Sequence, residues 1–293
     1  MSSIIRNSKR KLIPMTNDFM FHMVLQESNE ALKGLVASFL HLPGDEIKSV
    51  VVTNPIEYGS NVTGKGFVLD LKVTLNENTT VNLEMQVEDK HNWDARSLSY
   101  LCRTYDSLNR GSDYKDARAV IHIGFLKYTL FKDHPEFYAT YRLMNEKDHY
   151  VFSDRFRLSV VELNHINMAT EEDIKWKLDK WARLIRESDR EKILEIAGGD
   201  KAMTAAAKTI EFFNEDFWAR EQMIRRQEIE AYEKRRDEES KKDKATIKEQ
   251  RKELARIKAE VADQAAVIAI KDAAITDLTA RIAELEAAAA KQV

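Results

Sequence analysis

The sequence predicts an α/β protein with a long helical tail, and three observations carry that expectation. Two runs between Gly66 and Val87 alternate strictly between apolar and polar residues, the mark of half-buried strands. Segments with helical spacing flank them, and Ala117 to Phe125 is nearly continuous in apolar residues, as a central strand is. From about Phe217 the chain loses glycine and proline altogether, and a heptad pattern emerges.

Residues 1–14 read as a basic arm carrying Arg6, Lys9, Arg10 and Lys11 and ending at Pro14. Thr16 or Asn17 can cap a helix beginning near Asp18, with Phe19, Met23, Leu25, Leu32, Leu35, Val36 and Phe39 at helical spacing. Leu42-Pro43-Gly44 closes that section. Ser49 to Tyr58 is strand-like, and Pro55 within it points to a sheet edge or a bulge.

In the first alternating run, Phe67, Leu69, Leu71, Val73 and Leu75 take one face, and Asp70, Lys72 and Thr74 the other. In the second, Val81, Leu83, Met85 and Val87 oppose Asn82, Glu84, Gln86 and Glu88. Asn76-Glu77-Asn78 between them is a hairpin turn. The polar faces align only across an odd loop. A three-residue loop pairs Leu75 with Thr79 and Asp70 with Glu84, whereas a shift of one pair puts Gln86 opposite Asp70 and Glu84 opposite Lys72. Either way two carboxylates, a lysine and a glutamine share one patch. Like charges directly opposite are destabilising unless a cation sits between them. Magnesium needs only one or two carboxylates plus phosphate oxygens, so it suits such a patch.

Asn92 can cap the next helix, roughly Trp93 to Arg110, with Leu98, Leu101, Cys102, Tyr105 and Leu108 as an apolar stripe. Arg96, Tyr100, Arg103 and Ser107 form a second face, which a helix following directly on Gln86 would lay near the carboxylates. Two arginines and a tyrosine there suit phosphate oxygens. The alternative is a solvated face. Gly111 ends the helix, and His122 in the next strand reads as a core residue.

Phe137 to Met144, Tyr150 to Phe152 and Phe156 to Leu163 read as short strands. Thr170-x-x-Asp173 opens a helix to Arg186 with Ile174, Leu178, Trp181 and Ile185 on one face. Helices at 189–197 and 200–214 follow, separated by Gly198-Gly199.

Composition narrows the function classes. The 293 residues are 43% hydrophobic and 32% charged with a net charge of −3, so nucleic-acid contact must rest on local patches. No apolar run is long enough for a signal peptide or a bilayer span, and the single cysteine, Cys102, excludes an internal disulfide or a cysteine-based zinc cluster. A cytoplasmic protein without a membrane partner is expected.

Several short motifs occur in a telling order: Asn17-Asp18-Phe19-Met20-Phe21, Leu69-Asp70-Leu71-Lys72, Val81-Asn82-Leu83-Glu84-Met85-Gln86, Arg96-x-x-x-Tyr100, Gly111-x-x-Tyr114, and Val161-Glu162-Leu163. In this the chain resembles the Rpn family of recombination-promoting nucleases and transposases, within the PD-(D/E)XK superfamily, over roughly residues 14–215. The resemblance implies a restriction-endonuclease-like mixed central sheet flanked by helices, and magnesium-dependent DNA cleavage, with manganese able to substitute. Carried over by position, Asp70 and Glu84 would ligate the metal, and Asp18 would be an acidic residue near the site. Gln86 stands where the superfamily usually has lysine, and His22 where a lysine often follows Phe21. Glutamine can hydrogen-bond an attacking water but not deprotonate it. Lys72 shares that face and could lend charge.

In the tail, Ile247, Leu254, Val261, Ile268, Ile275 and Ile282 recur every seven residues, with Leu278 and Leu285 among their d partners. Six aliphatic a positions predict a coiled coil from Thr246 to Ala287, about 60 Å long, and their mostly β-branched side chains favour a parallel homodimer. The expected organisation is therefore an arm at 1–14, a nuclease-like domain at 15–165, a helical extension packed on it at 166–216, and a long helix or coiled coil at 217–293. Two functions fit: a magnesium-dependent DNA endonuclease, or a catalytically inactive nuclease fold serving as a binding module on a coiled-coil dimer.

Overall fold

The computed structural model of the chain describes residues 11–56, 70–106 and 113–289, with side chains to residue 283. Arg6, Lys9, Arg10, Tyr58, Phe67, Leu69, Ser107, Leu108, Gly111 and Leu285 figure in the sequence reading and lie outside the residues or side chains described. The chain divides into two units, 1–231 and 232–293.

The first unit opens with α1 (Asp18–Glu27) and α2 (Asn29–Leu40), two helices where the periodicity had suggested one. Ser28 makes the break: it ends α1 and caps α2 by accepting from the Ala31 amide. Asn17 caps α1 through the Met20 amide. Gly34 lets α2 approach the later helix α7 (Lys201–Glu215), since a Cβ there would lie 2.2 Å from that of Ala202.

A six-stranded mixed sheet follows from β1 (Val50–Val52), β2 (Leu71–Leu75), β3 (Thr79–Gln86), β4 (Ala119–Leu126), β5 (Tyr138–Arg142) and β6 (Phe156–Glu162), in spatial order β1-β2-β3-β4-β6-β5. β3 and β4 are parallel, as are β4 and β6, while the remaining pairs are antiparallel. β1 lies at an edge and is shorter than the strand expected over 49–58. Beyond it, before Pro55, the Asn54 side chain takes over the ladder, donating to the Asp70 carbonyl at 2.6 Å and accepting from the Lys72 amide at 2.7 Å. Residues 150–152 form no strand, only a bridge between Met144 and Val151.

Leu71, Val73, Val81, Leu83, Ile123, Phe125 and Val161 send the sheet's apolar face into the main core, built with α1, α2, α7 and α5 (Leu178–Arg186). The helices after residue 170 thus share one core with the sheet. The Thr170–Asp173 capping box is present, but the helix it opens, α4 (Glu171–Lys175), stops before α5, with Lys177 at φ 62°. That break resets the helical phase and leaves Ile174 exposed while Leu178, Trp181 and Ile185 are buried. α6 (Arg190–Ala197) precedes α7 across Gly198 and Gly199, the latter at φ +78°.

The opposite face of the sheet carries α3 (Trp93–Tyr105). Its inward residues are Trp93, Ser97 and Leu101, spaced by four, rather than the expected stripe through Leu98 and Cys102, which are exposed. The reason lies beneath the helix: Gly124 on β4 leaves a hollow that Trp93 fills, and a Cβ there would lie 2.2 Å from Trp93 Cζ2. This turns Arg96 and Tyr100 toward the polar strand face.

α8 (Phe217–Ala289) runs from the first unit into the second. Within the first unit its opening turns are anchored: Ala219 and Met223 are buried, Trp218 packs edge-on to Phe19 at 5.7 Å, and Asn17 Nδ2 donates to the Met223 carbonyl. In the second unit the heptad residues Ile247, Leu254, Val261, Ile268, Ile275 and Ile282 are all exposed. No described helix is long and apolar enough to cross a membrane.

Candidate active site

The β2–β3 hairpin has the three-residue loop. Leu75 pairs with Thr79 and Leu71 with Leu83, so the same register carried one residue further sets Asp70 opposite Glu84. Asn76 and Glu77 take positive φ in the turn, and Asn76 fastens it to the preceding segment by accepting from the Lys48 and Ser49 amides and donating to the Glu46 carbonyl. Lys72 falls opposite Asn82, one pair removed from the carboxylates, and its ammonium makes no ion pair among the described residues.

Glu84 is 1% exposed, the most buried acidic side chain of this face. Burial, then the charge of Glu84, pushes the Asp70 carboxyl up to about 7; Asp18 adds to the rise, and the Arg96 guanidinium opposes it. Arg96 Nη2 lies 2.9 Å from Glu84 Oε1. Burial alone would lower the Arg96 pKa, but Glu84, Asp70 and Tyr100 together outweigh it and raise it. The Tyr100 ring stacks beneath that guanidinium, 5.4 Å from its centre. Arg103, two turns further along α3, is exposed and makes no ion pair among the described residues.

On the other side of Glu84 stands His122, its Nε2 3.2 Å from Oε2. His122 pairs with Asn82 across β3 and β4, and the Asn82 amide meets its Nδ1 at 3.0 Å. The Arg96 and His122 contacts are close ion-pair approaches without hydrogen-bond alignment, so both Glu84 oxygens remain buried with no hydrogen bond directed at them. Gln86 donates through Nε2 to the Glu88 carbonyl at 3.2 Å, which leaves its buried Oε1 without a hydrogen bond as well. The Tyr128 hydroxyl, also buried and unbonded, titrates high because of burial and then the charges of Asp89 and Glu84.

Asp18, at the start of α1, is close enough to Asp70 to raise its pKa and is itself held by Arg226 of α8 through Nε at 3.3 Å and Nη2 at 2.5 Å. The fold thus gathers Asp70, Glu84, Gln86, Asp18, Arg96 and Tyr100, and sets Lys72 and Arg103 apart. His122, expected as a core residue, is buried as one but also contacts Glu84, and Asn82, expected on the same polar face as Glu84, is its partner. Their pairing depends on the parallel β3–β4 register, which no local pattern encodes. The site's own cation is Arg96 rather than Lys72.

The donor atoms fit a hard divalent cation. Among the described residues no three His, Cys, Asp or Glu side chains converge as a metal cluster. Two carboxyl groups facing each other, with both Glu84 oxygens buried and without an aligned hydrogen bond, are oxygen donors of the kind a hard divalent cation takes when water and phosphate complete its shell.

The family model described as PD-(D/E)XK nuclease family transposase matches residues 15–251, and the chain belongs to that family. The match runs beyond residue 215, where the resemblance read from the sequence ends, through the anchored part of α8 and into the first heptad. No curated protein and no solved structure matches the chain.

Proposed function

From the premise of that family membership, we propose that the protein is a divalent-metal-dependent DNA endonuclease that hydrolyses phosphodiester bonds. The observation that carries the reading is Asp70 facing Glu84: a half-buried carboxyl just before β2 opposite a fully buried one on β3, whose oxygens lie near Arg96 and His122 but accept no aligned hydrogen bond. Burying a carboxylate is costly even beside a guanidinium and an imidazole, and contacts this poorly aligned leave its oxygens able to take a further ligand.

Asp70 and Glu84 would hold a magnesium or manganese ion, with Gln86 Oε1 beside them. Such an ion supplies Lewis-acid polarisation of a phosphoryl oxygen and activation of water as the nucleophile. Gln86 lies two residues along the same strand face, its Cα about 6.5–7 Å from that of Glu84, and its unbonded Oε1 would accept a hydrogen bond from the attacking water to orient it. Arg96, stiffened by Tyr100, offsets the negative charge of the carboxylate pair and presents its fork to a phosphate oxygen. Arg103 extends this contact along α3 to a neighbouring phosphate. Asp18 adds negative charge near Asp70, and its pairing with Arg226 moderates that charge.

The exposed heptad residues of the second unit support a parallel homodimer, which would bring two such sites to one DNA duplex. Incubation of the full chain with supercoiled plasmid is the test. Nicking and linearisation with magnesium and none with chelator are expected. Intact plasmid with magnesium, together with retained DNA binding, would instead assign the chain to the non-catalytic binding modules, with Gln86 in the lysine position as the reason.

A further inference from the structure

The contact between His122 and Glu84 belongs to none of the motifs that mark the family resemblance. His122 is fully buried, as is Glu84, and Asn82 is nearly so. The three side chains run in line across β3 and β4: Asn82 Nδ2 to His122 Nδ1 at 3.0 Å, then His122 Nε2 to Glu84 Oε2 at 3.2 Å. The chemistry fixes the tautomer. Were Asn82 turned to accept a proton from Nδ1, a neutral imidazole would set the Nε2 lone pair against a carboxylate oxygen 3.2 Å away. With Asn82 donating, Nδ1 accepts and the proton sits on Nε2, facing Glu84.

We propose that His122 is the positioning residue for Glu84: anchored by Asn82, it holds Oε2 through Nε2–H and so leaves Oε1 for the cation. The proposal rests on the reading of Asp70 and Glu84 as the metal-holding pair. Arg96 Nη2 lies 2.9 Å from Oε1 in the metal-free chain, so a cation that takes Oε1 must displace the guanidinium, whereas Oε2 keeps His122. Neither contact is aligned as a hydrogen bond, and contacts of this kind tighten when the missing ligand arrives. Ligating side chains are commonly fixed by such outer partners. The surroundings suit the role: Gly124 opposite Glu84 and the Trp93 ring, 6.0 Å from the imidazole, close the site on the α3 side and keep water from competing for Oε2.

The experiment is calorimetric titration of manganese into the full-length protein, comparing wild type with His122→Leu, His122→Gln and Glu84→Ala, with circular dichroism confirming the fold of each. Glutamine can place an amide N–H near the position of Nε2, whereas leucine fills the space without a donor. His122→Leu is expected to bind manganese about 10–100-fold more weakly, and His122→Gln to recover most of that loss. A purely structural role for His122 would leave the affinity of a folded His122→Leu protein unchanged. That result, with Glu84→Ala still abolishing binding, overturns the proposal and leaves the metal reading intact. Manganese binding by Glu84→Ala at wild-type affinity overturns both.

If His122→Leu does not fold, nitrogen NMR of histidine-labelled wild type decides, with the His122 signal assigned by its loss in His122→Gln. A proton on Nε2 and a resonance that moves on magnesium addition are expected. A proton on Nδ1, or a signal indifferent to magnesium, overturns the proposal.

Discussion

At the scale of single residues, the site is governed by what burial does to charge. Asp70 and Glu84 face each other where water is scarce, and one consequence is that Asp70 titrates near 7. A carboxyl group whose pKa is higher in the folded chain than in the unfolded one favours folding while protonated. Its contribution is full below about pH 4, the ordinary value, and is lost as pH rises through about 7. The metal-free protein should therefore lose stability between those limits, and Asp70→Asn should flatten that part of the profile and be the more stable form at pH 8. Chemical denaturation of both proteins in chelator across that range checks it. An unchanged slope in Asp70→Asn would move the source elsewhere. Metal should reverse the ordering at pH 8, since it binds the ionised wild-type pair and has one carboxylate fewer in the variant.

At the scale of elements, the hairpin was readable and the crossover was not. Strict alternation and an odd loop narrow the hairpin to two registers with the same polar face, because register in a short hairpin is a local property, and the fold takes the one that sets Asp70 opposite Glu84. Pro55 likewise points to an edge or a bulge, and β1 before it lies at the sheet edge. The inward face of α3 departs from its apolar spacing, which favours Leu98 and Cys102, because the hollow at Gly124 draws in Trp93 and turns the helix. His122 reads as a core residue and is buried as one, but its contact with Glu84 is not legible, since a parallel pairing across a long crossover leaves no mark in either strand alone. The break at Lys177, which exposes Ile174, was masked by a continuous helical spacing. Gly124→Ala tests the account of α3. Its methyl would meet the Trp93 ring at 2.2 Å, so the helix must move. We expect a loss of about 1–3 kcal/mol in unfolding free energy, with Arg96 displaced from Glu84. Near-native stability measured by urea denaturation would mean that Trp93 has room the packing does not show.

At the scale of the whole molecule, the chain joins a unit with its own core to a helical stretch whose described aliphatic heptad residues are exposed. Six a positions from Ile247 to Ile282 are exposed, and a single helix in water gains nothing from them. Replacing Val261 and Ile268 with Lys in the full chain should convert a dimer to a monomer in light scattering while leaving the first unit's thermal transition in place. A dimer that survives both substitutions would put the interface in the first unit. α8 also reaches the site more directly, since Arg226 in its anchored part holds Asp18.

The central claim is that Asp70 and Glu84 together hold a divalent cation for phosphodiester hydrolysis. Magnesium titration into the full-length protein, followed by calorimetry for wild type, Asp70→Ala and Glu84→Ala, tests it most directly. One site per chain in wild type, and none in either folded variant, is the predicted result. Binding by both variants at wild-type affinity would contradict it.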